Sequence, residues 1–444
     1  MVINLPEKVK YIIDRITEAG YEAYAVGGCI RDSILGREPN DWDITTSARP
    51  QQVKALFNRT IDTGIAHGTV TVMLDKEGFE VTTYRIDGEY EDHRHPREVT
   101  FTSQLVEDLR RRDFTINAMA YNETAGLVDA FNGMEDIRHK VIRCVGCATQ
   151  RFTEDALRIL RAIRFSAQLG YTIEEETSQA ICRLAPSLSA ISAERIQTEL
   201  VKLLVSPHPD YLRLAYDMGV TAVVLPELDL CMKTSQNHPH HCYTVGEHIL
   251  HSLEHVPAQK ELRLAMLLHD IGKPRTLEVD RDGTTHFYGH PAVSAKMADQ
   301  ILRRLKLDND TIATVCRLVE FHDYGNNVNP APATVRRAIN RMGEETFPKF
   351  LLVKRADIMA QSDYQRREKL ELVEAWEKEY QDILAKQQCV SLKSLAVSGR
   401  DLIAAGMTPG REMGEMLQRM LLHVLEVPED NSKEKLFEIF LKVT

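Results

Sequence analysis

The chain has 444 residues, with 55 lysines and arginines against 65 aspartates and glutamates, for a formal net charge of −10. Hydrophobic residues make up 43% and charged residues 27%, which excludes a disordered or fibrous chain. This length indicates a globular protein of about two to four domains. The negative charge argues at first sight against a nucleic-acid partner, because backbone phosphates favour basic proteins.

No apolar run approaches the roughly 18 residues that a membrane helix needs, and the N-terminal segment has no apolar signal region. We therefore expect a cytoplasmic protein with no membrane partner. The 8 cysteines are scattered, and Cys144 and Cys147 form a CxxC motif without the second pair that a zinc ribbon requires. Ordinary reduced thiols are the expectation.

Residues 1–148 mix short β-rich runs with turns. Apolar or alternating runs bounded by glycine or aspartate predict strands over 21–28, 41–46, 68–74, 79–85 and 140–146. Helices are predicted over 29–36, after a double glycine, and over 50–58. The first third of the chain is thus expected to be an α/β head.

From about residue 152 onward, nearly every segment carries apolar residues at helical spacing. Thr153 is predicted to be the N-cap of one helix and Gly170 its C-cap. The whole chain is therefore predicted to have an α+β fold, in which a head with a mixed sheet precedes a long helical body.

The first motif is AVGGCIRDSILGREPNDWDIT, in which an apolar strand runs into Gly27 and Gly28 and a helix starts at once. Glycines let a ligand approach the backbone, and the free N–H groups of a helix start favour phosphate. Arg31, one turn into the helix, could clamp the same phosphates. Alone, the double glycine could equally be a simple turn.

Asp41 and Asp43 follow in the same motif, two residues apart. On a strand this spacing puts both carboxylates on one face, about 6–7 Å apart, and such oxygen ligands suit Mg²⁺. Glu80, in the alternating run FEVTTY, is a natural third carboxylate from a neighbouring strand. Two metal ions held in this way would activate a hydroxyl and stabilise a leaving diphosphate. A solvated loop is the alternative, but the ordered combination favours phosphoryl transfer.

Two further segments are rich in arginine. EDLRRRDFTINAMAYN (107–122) is either a basic helix face or an anchor for triphosphate or RNA. In RFTEDALRILRAIRFSAQLGY, Asp155 and Arg158 are spaced i,i+3 and could form a surface salt bridge. Arg161 and Arg164 continue the helix at three-residue steps.

Asp155 and Arg158 could also select a base. Cytosine and adenine each present an amino donor beside an unprotonated ring nitrogen, whereas uracil and guanine present a carbonyl beside a ring N–H. An aspartate that accepts from the amino group and an arginine that donates to the ring nitrogen would select C and A without a template.

These motifs, with DAFNGMEDIRHKVIR (129–143) and SAERIQTEL (192–200), closely resemble bacterial-type (class II) CCA-adding tRNA nucleotidyltransferases and the related bacterial poly(A) polymerases. The resemblance covers residues 20–205. It implies a polymerase-β-like nucleotidyltransferase head, a nucleotide-selecting neck, and a body and tail that hold tRNA. Template-independent addition of C, C and A from CTP and ATP is the implied activity.

The resemblance also implies roles for single residues. Asp41 and Asp43 correspond to the metal ligands; Glu80, expected from its strand position alone, is the third catalytic carboxylate. The implied nucleotide-binding residues are Gly28, Arg31, Arg112, Asp155, Arg158, Arg161 and Arg164. Residues 87–101 resemble the flexible loop associated with adding the terminal A. One departure is Asn132-Gly133, in a hinge-like segment where the family often has Gly-Gly.

A histidine-rich region follows, with 9 of the 16 histidines between residues 238 and 290. The order of its histidines and aspartates resembles the HD metal-dependent phosphohydrolase superfamily, whose donor types suit a transition metal. The corresponding ligands are His248, His269, Asp270, His290, His322 and Asp357. A helical domain that retains the pattern only for packing is the alternative. His238, His240 and His241 are expected to cap a helix or face solvent.

The expected division is a head over 1–148, a neck over 149–206, an HD-type body over 207–385 and a tRNA-binding tail over 386–444. The leading function is CCA addition to tRNA with Mg²⁺ in the head, and no DNA partner is expected. An A-adding enzyme or poly(A) polymerase, and an HD phosphohydrolase or phosphodiesterase acting on RNA ends, stay open as alternatives.

The net charge does not oppose an RNA substrate, because it is unevenly distributed. Residues 138–164 carry seven basic and two acidic side chains beside the expected active site. Localised patches of this kind predict modest, salt-sensitive binding of RNA.

Overall fold

A computed structural model describes residues 2–88, 99–326 and 328–441. The chain divides into two compact units, residues 1–226 and 227–444. None of the described helices is both long and apolar enough to cross a membrane. All eight cysteines are free, as expected from their scattered positions.

The described residues of the first unit form eleven short strands. They are β1 Ala23–Val26, β2 Ile44–Thr46, β3 Thr60–Gly64, β4 Thr69–Leu74, β5 Glu77–Thr83, β6 Arg85–Asp87, β7 Val99–Phe101, β8 Ala120–Asn122, β9 Gly126–Val128, β10 Val141–Ile142 and β11 Thr172–Ile173. Seven of them form one sheet in the order β3-β4-β5-β2-β1-β8-β9, in which β2 and β5 are parallel and the other neighbours antiparallel. The predicted mixed sheet of the head is confirmed.

The helices of the first unit lie mainly after the sheet. They are α1 Glu7–Glu18, α2 Gly28–Ile34, α3 Pro50–Leu56, α4 Leu105–Arg110, α5 Gly133–His139, α6 Ala148–Glu154, α7 Leu157–Leu169, α8 Glu175–Leu184, α9 Ala193–Leu204, α10 Leu212–Asp217 and α11 Thr221–Val224. Helices α7 and α9 pack against each other through amphipathic faces, and α6 packs on α8. This packing places the charged residues of α7 against those of α9.

The structure corrects the expected start of the neck helix. Thr153 lies inside α6, where its hydroxyl donates to Thr149 O at 2.8 Å. Asp155 has an extended backbone, and its carboxylate accepts from Leu157 N at 3.1 Å. An extended residue with a short acceptor side chain can satisfy the first free N–H groups of a helix, so Asp155 takes the capping role. The predicted C-cap is confirmed, because Gly170 ends α7 with φ 70°.

Asn132 explains the departure from the Gly-Gly pattern. It has φ 60°, in the left-handed region that favours glycine and that asparagine tolerates better than most residues. At Gly133 a side chain is excluded by steric overlap, because a Cβ there would lie 2.4 Å from Thr115 O. The first glycine can therefore be exchanged for asparagine, whereas the second is held by a close backbone contact.

The second unit is helical apart from one small hairpin. Its elements are α12 Pro226–Lys233, which starts at the boundary, α13 Val245–Glu254, α14 Lys260–Leu268, β12 Glu278–Val279, β13 Thr285–His286, α15 His290–Arg304, α16 Asn309–Phe321, α17 Pro332–Met342, α18 Phe347–Met359, α19 Arg366–Ala385, α20 Gly399–Ala404, α21 Arg411–Glu426 and α22 Lys433–Phe440. Helix α14 is buried against α13, α16 and α18. A separate apolar cluster from Cys389 to Leu436 joins the last three helices.

Candidate active sites

The head brings three carboxylates together at one end of the parallel strand pair. Asp41 and Asp43 precede β2, so the prediction that they lie within a strand is wrong: β2 starts at Ile44. Ladder pairing with β5 begins only at Ile44 and Val81, although Asp43 O still accepts from Val26 N at 2.9 Å. The same register sets Glu80 beside Asp43.

The electrostatics of this end suit a divalent cation. Partial burial raises the pKa of Glu80, and the charges of Asp43 and Asp41 raise it further. Partial burial also raises the pKa of Asp43. The positive charge of Arg112 lowers this pKa, and the negative charge of Asp41 raises it. The charge of Asp41 thus acts on both Asp43 and Glu80, and Mg²⁺ bound there would relieve that repulsion. The Mg²⁺ site at these three residues stays a prediction.

Arg112 stands beside Asp43, and Arg31 lies on the helix that follows Gly27. The Arg112 guanidinium passes Gly27 so closely that a Cβ there would lie 2.9 Å from Nη1, and its buried Nε has no hydrogen-bond partner. Gly27 is the N-cap of α2 and has φ 89°, a positive value that favours glycine. Gly28 is the first residue of the helix. Arg31 is buried, donates to Asn117 and pairs with Asp32 at 2.9 Å.

In the neck, Asp155 and Arg158 are each held by other partners. The Asp155 carboxylate pairs with Arg195 at 2.7 Å, and the Arg158 guanidinium pairs with Glu154 at 2.6 Å. Arg158 also donates to two backbone carbonyls, Arg151 O at 3.0 Å and Arg111 O at 3.1 Å. Asp155 and Arg158 are thus each held in place by another charged residue and not, as their i,i+3 spacing suggested, by one another.

Arg161 and Arg164 are paired with buried carboxylates. Arg161 lies 2.5 Å from Asp113, and Arg164 lies 2.5 Å from Glu199. Burial alone would raise the pKa of Asp113, but Arg161 holds it well below its usual range. The Asp113 carboxylate is therefore charged, and each of the two acids holds one arginine.

The ring of Phe165 lies among three of the arginines. The guanidinium carbons of Arg31, Arg161 and Arg164 are 5.0, 5.4 and 3.8 Å from the ring centroid. Cations at such distances from an aromatic ring are attracted by its quadrupole. Phe165 therefore connects an arginine of the head with two of the neck.

Four residues of this region were missed from the sequence: Asp113, Glu154, Arg195 and Glu199. A signal was present for the last two, because i,i+4 spacing puts Arg195 and Glu199 on one side of α9, and Glu199 is only 5% exposed. Nothing in the sequence indicated which arginine each acid would meet.

In the second unit, the six expected HD ligands converge. His248 is on α13, His269 and Asp270 directly follow α14, His290 starts α15, His322 follows α16, and Asp357 is on α18. They form two sets of possible ligand atoms, His248-His269-Asp270 and Asp270-His290-His322, each within 4.8 Å. All of these residues are buried.

The distances within this cluster are short. His248 Nε2 lies 2.8 Å from Asp357 Oδ1 and 3.1 Å from His269 Nε2. His290 Nε2 lies 3.2 Å from both His322 Nε2 and Asp270 Oδ1. Like imidazole nitrogens so close together indicate a place where a cation belongs, and the mixed donor set suits a transition metal.

The charges of the cluster agree with that assignment. Burial lowers the pKa of His269, but Asp270 and Asp357 outweigh it and raise the pKa to about 10. His322 also has a raised pKa, chiefly through Asp323 and Asp270 against the effect of burial. The carboxylates thus favour positive charge at His269 and His322, where a bound metal would place its own.

A cavity of about 480 Å³ opens over the cluster. Asp270, His290, His322 and Asp357 of the cluster line it. His238, His240 and His241, which were expected to cap a helix or face solvent, are partly exposed and also line this cavity. They belong to the wall of a site because hydrogen bonds tie their turn to the segment after α18, including Ser362 N to His240 O at 3.0 Å.

The buried pair in the neck yields a stability prediction. We expect Glu199→Gln to lower the free energy of unfolding by about 3–5 kcal/mol, because Arg164 would be left buried without its carboxylate. Chemical denaturation followed by circular dichroism measures this change. The control is Glu135→Gln, which removes an exposed pair with Arg138 and should cost about 1 kcal/mol or less. Equal effects of the two substitutions would contradict the role assigned to Glu199.

Comparison with known proteins identifies the family. A poly(A) polymerase head domain model matches residues 23–143, a probable RNA- and SrmB-binding site of polymerase A matches 170–232, and a putative second domain of tRNA nucleotidyltransferase matches 285–440. These matches confirm the resemblance in the head and extend it into the second unit.

Similar proteins span almost the whole chain. The CCA-adding enzyme of Levilactobacillus brevis is 36% identical over 98% of both chains, and that of Enterococcus faecalis is 34% identical over 97% of this chain and 94% of its own. The crystal structure of the Bacillus stearothermophilus CCA-adding enzyme in complex with CTP superposes with a TM-score of 0.71, at 30% identity over 97% of this chain and 95% of that one. The chain therefore belongs to the family of CCA-adding enzymes.

Proposed function

We propose that this protein adds C, C and A to the 3′ end of tRNA in the cytoplasm, consuming CTP and ATP and releasing diphosphate. The observation that carries the proposal is the meeting of three carboxylates in the head, in a chain whose full-length relatives are CCA-adding enzymes. In this proposal, residues 1–148 are the head, 149–206 the neck, 207–385 the body and 386–444 the tRNA-binding tail.

Asp41 and Asp43 are the proposed Mg²⁺ ligands, with Glu80 as the third catalytic carboxylate. Mg²⁺ bound there would neutralise the triphosphate and activate the 3′ hydroxyl of the tRNA. Arg112, beside Asp43, is placed to contact the triphosphate, and Arg31 and Gly28 border the same end of the sheet. The buried position of Arg112 supports this role, because its Nε has no partner within the described protein.

Base selection is assigned to Asp155 and Arg158. Asp155 accepts from the amino group of C or A, and Arg158 donates to the adjacent ring nitrogen. Arg195 and Glu154 keep these two groups in place, which supports selection by the protein alone. Arg161 and Arg164 complete the nucleotide-binding set as positive groups held by buried acids.

A second activity is proposed for the second unit: hydrolysis of a phosphate ester. Its support is the convergence of six histidines and aspartates under an open cavity. A transition metal bound by His248, His269, Asp270, His290, His322 and Asp357 supplies an activated water and a polarised phosphate. One water is consumed, and an alcohol and inorganic phosphate are released.

CCA addition is tested with tRNA transcripts that lack three, two or one terminal nucleotides. We expect CTP alone to add two C residues to the shortest tRNA, ATP to extend only the tRNA ending in CC, and both together to complete CCA. Sequencing gels measure the products. Addition of A alone, without C on shorter ends, would indicate an A-adding enzyme, and long A tracts on any RNA would indicate a poly(A) polymerase.

Asp155→Ala tests the base-selecting pair. We expect kcat/KM for CTP and ATP to fall about 5- to 150-fold, because one base-specific hydrogen bond contributes about 1–3 kcal/mol of discrimination. Single-nucleotide addition assays with each of the four NTPs measure this value and the preference over UTP and GTP. Glu176→Ala, which removes an exposed acid of the neck, should leave both unchanged. An unaltered preference in Asp155→Ala would remove this residue from base selection.

Substitutions in the two units should separate the two activities. We expect His269→Ala to abolish release of phosphate from a phosphomonoester in Mn²⁺ or Ni²⁺ while CCA addition persists. Asp41→Asn should do the reverse, because it changes only the head. Absence of phosphate release from the wild-type protein, with no metal found by mass spectrometry, would refute the hydrolase and leave CCA addition untouched.

A further inference from the structure

The ring of Phe165 is an apolar group among the nucleotide-binding arginines of the first unit. Phe165 lies on α7 and is 6% exposed. Its ring meets that of Phe114 edge to face, with 5.8 Å between the centroids and 79° between the planes. Phe114 is fully buried and comes from the segment after α4. A second buried ring therefore holds Phe165 in place before any nucleotide binds.

Three arginines from two parts of the first unit lie around this ring. Arg31 comes from α2 in the head, whereas Arg161 and Arg164 come from α7 in the neck. Their guanidinium carbons lie between 3.8 and 5.4 Å from the ring centroid. All three belong to the proposed nucleotide-binding set. One uncharged ring thus contacts arginines of the head and of the neck at the same time.

The charge of these arginines does not require the ring, because each is already paired with an acid. The pairs are Arg31–Asp32, Arg161–Asp113 and Arg164–Glu199. A carboxylate bonds one edge of a planar guanidinium and leaves the group free to tilt about that edge. Contact with a fixed ring restricts this tilt. The acids therefore balance the charge, and the ring fixes the orientation.

The ring also brings like charges together. Burial lowers the pKa of Arg164, Glu199 raises it, and the positive charge of the neighbouring Arg161 lowers it. Two cations of the neck thus repel one another beside the ring. The electron-rich face of an aromatic ring attracts cations and offsets part of such a repulsion. Phe165 therefore favours an arrangement in which the arginines stay close together.

We propose that Phe165 is a positioning residue for nucleotide binding, whose ring orients Arg31, Arg161 and Arg164 for one nucleotide before it arrives. Phe165 acts through these arginines and has no part in the choice of base, which is assigned to Asp155 and Arg158. This inference rests on the nucleotidyl transfer proposed above and adds to it a residue that carries neither charge nor a hydrogen-bonding side chain.

The test replaces Phe165 with fluorinated phenylalanines in the full-length protein. Fluorine withdraws electron density from the ring face and changes its volume little, so one, two and three fluorines weaken the attraction for cations and retain the packing. We expect KM for CTP and ATP to rise with each fluorine, by about 2- to 30-fold in the trifluoro protein. The value of kcat should change little, because the arginines bind the nucleotide before the chemical step.

The choice of base gives a second measurement. Because the three arginines act on both nucleotides alike, KM for CTP and ATP should rise by the same factor, and the preference over UTP and GTP should stay that of the wild type. Unequal factors, an altered base preference or a fall in kcat alone would overturn the positioning role. An unchanged KM in the trifluoro protein would also overturn it, since the ring would then only fill space.

The matched control is fluorination of Phe347. This residue is also fully buried, but in the second unit, where its ring packs against those of Phe350, Trp376 and Tyr380. The trifluoro protein at this position should add nucleotides with the KM of the wild type. A rise equal to that at Phe165 would show that fluorination acts on the whole protein, and would contradict the inference.

Equilibrium binding separates failure of this inference from failure of the proposed function. Isothermal titration calorimetry with CTP, without tRNA, measures Kd and needs no catalysis. A Kd that rises with the number of fluorines, in a protein that adds no nucleotide to tRNA, would refute the transferase and support the positioning role. Nucleotide addition by a protein whose Kd does not respond to fluorine would refute the positioning role and leave the transferase intact.

Discussion

The geometry of the first unit depends on the pairing of buried arginines with carboxylates from other segments. Arg161 and Arg164 lie on α7, but their acids, Asp113 and Glu199, come from the segment after α4 and from α9. A buried charge without a partner is costly, so the neck can adopt only an arrangement in which each pair closes. The same constraint orders the nucleotide-binding region, because Asp155 is fixed by Arg195 on α9.

The two proposed metal centres differ in the charges that the protein brings together. In the head, the charge of Asp41 adds to the effect of burial on the pKa of Asp43 and Glu80, and a bound divalent cation would relieve this repulsion. In the second unit, imidazoles crowd together around Asp270, and the neighbouring carboxylates raise the pKa of His269 to about 10. The oxygen donors of the first centre and the mixed nitrogen and oxygen donors of the second suit different classes of metal.

Much of the site could be predicted because its residues are close in sequence or follow local rules. Two aspartates two residues apart before a strand, and an arginine series at three-residue steps, are local patterns. The residues that hold them in place were harder to predict from the sequence. Arg195 lies 40 positions after Asp155, and its role depends on how α9 packs on α7. Asp155 itself was expected on a helix, whereas its extended backbone makes it the cap of that helix.

The sequence by itself determined the class of fold, the order of the domains' motifs and the types of donor available to each centre. These follow from periodicity and from side-chain chemistry, which are properties of the chain before it folds. Only the tertiary structure decided which charges meet and that three histidines enter the wall of a cavity. Such contacts join segments far apart in sequence, and their formation depends on helix packing and on the cost of leaving charge buried. The net charge of −10 likewise describes the chain as a whole, whereas recognition depends on the few charges that folding brings together.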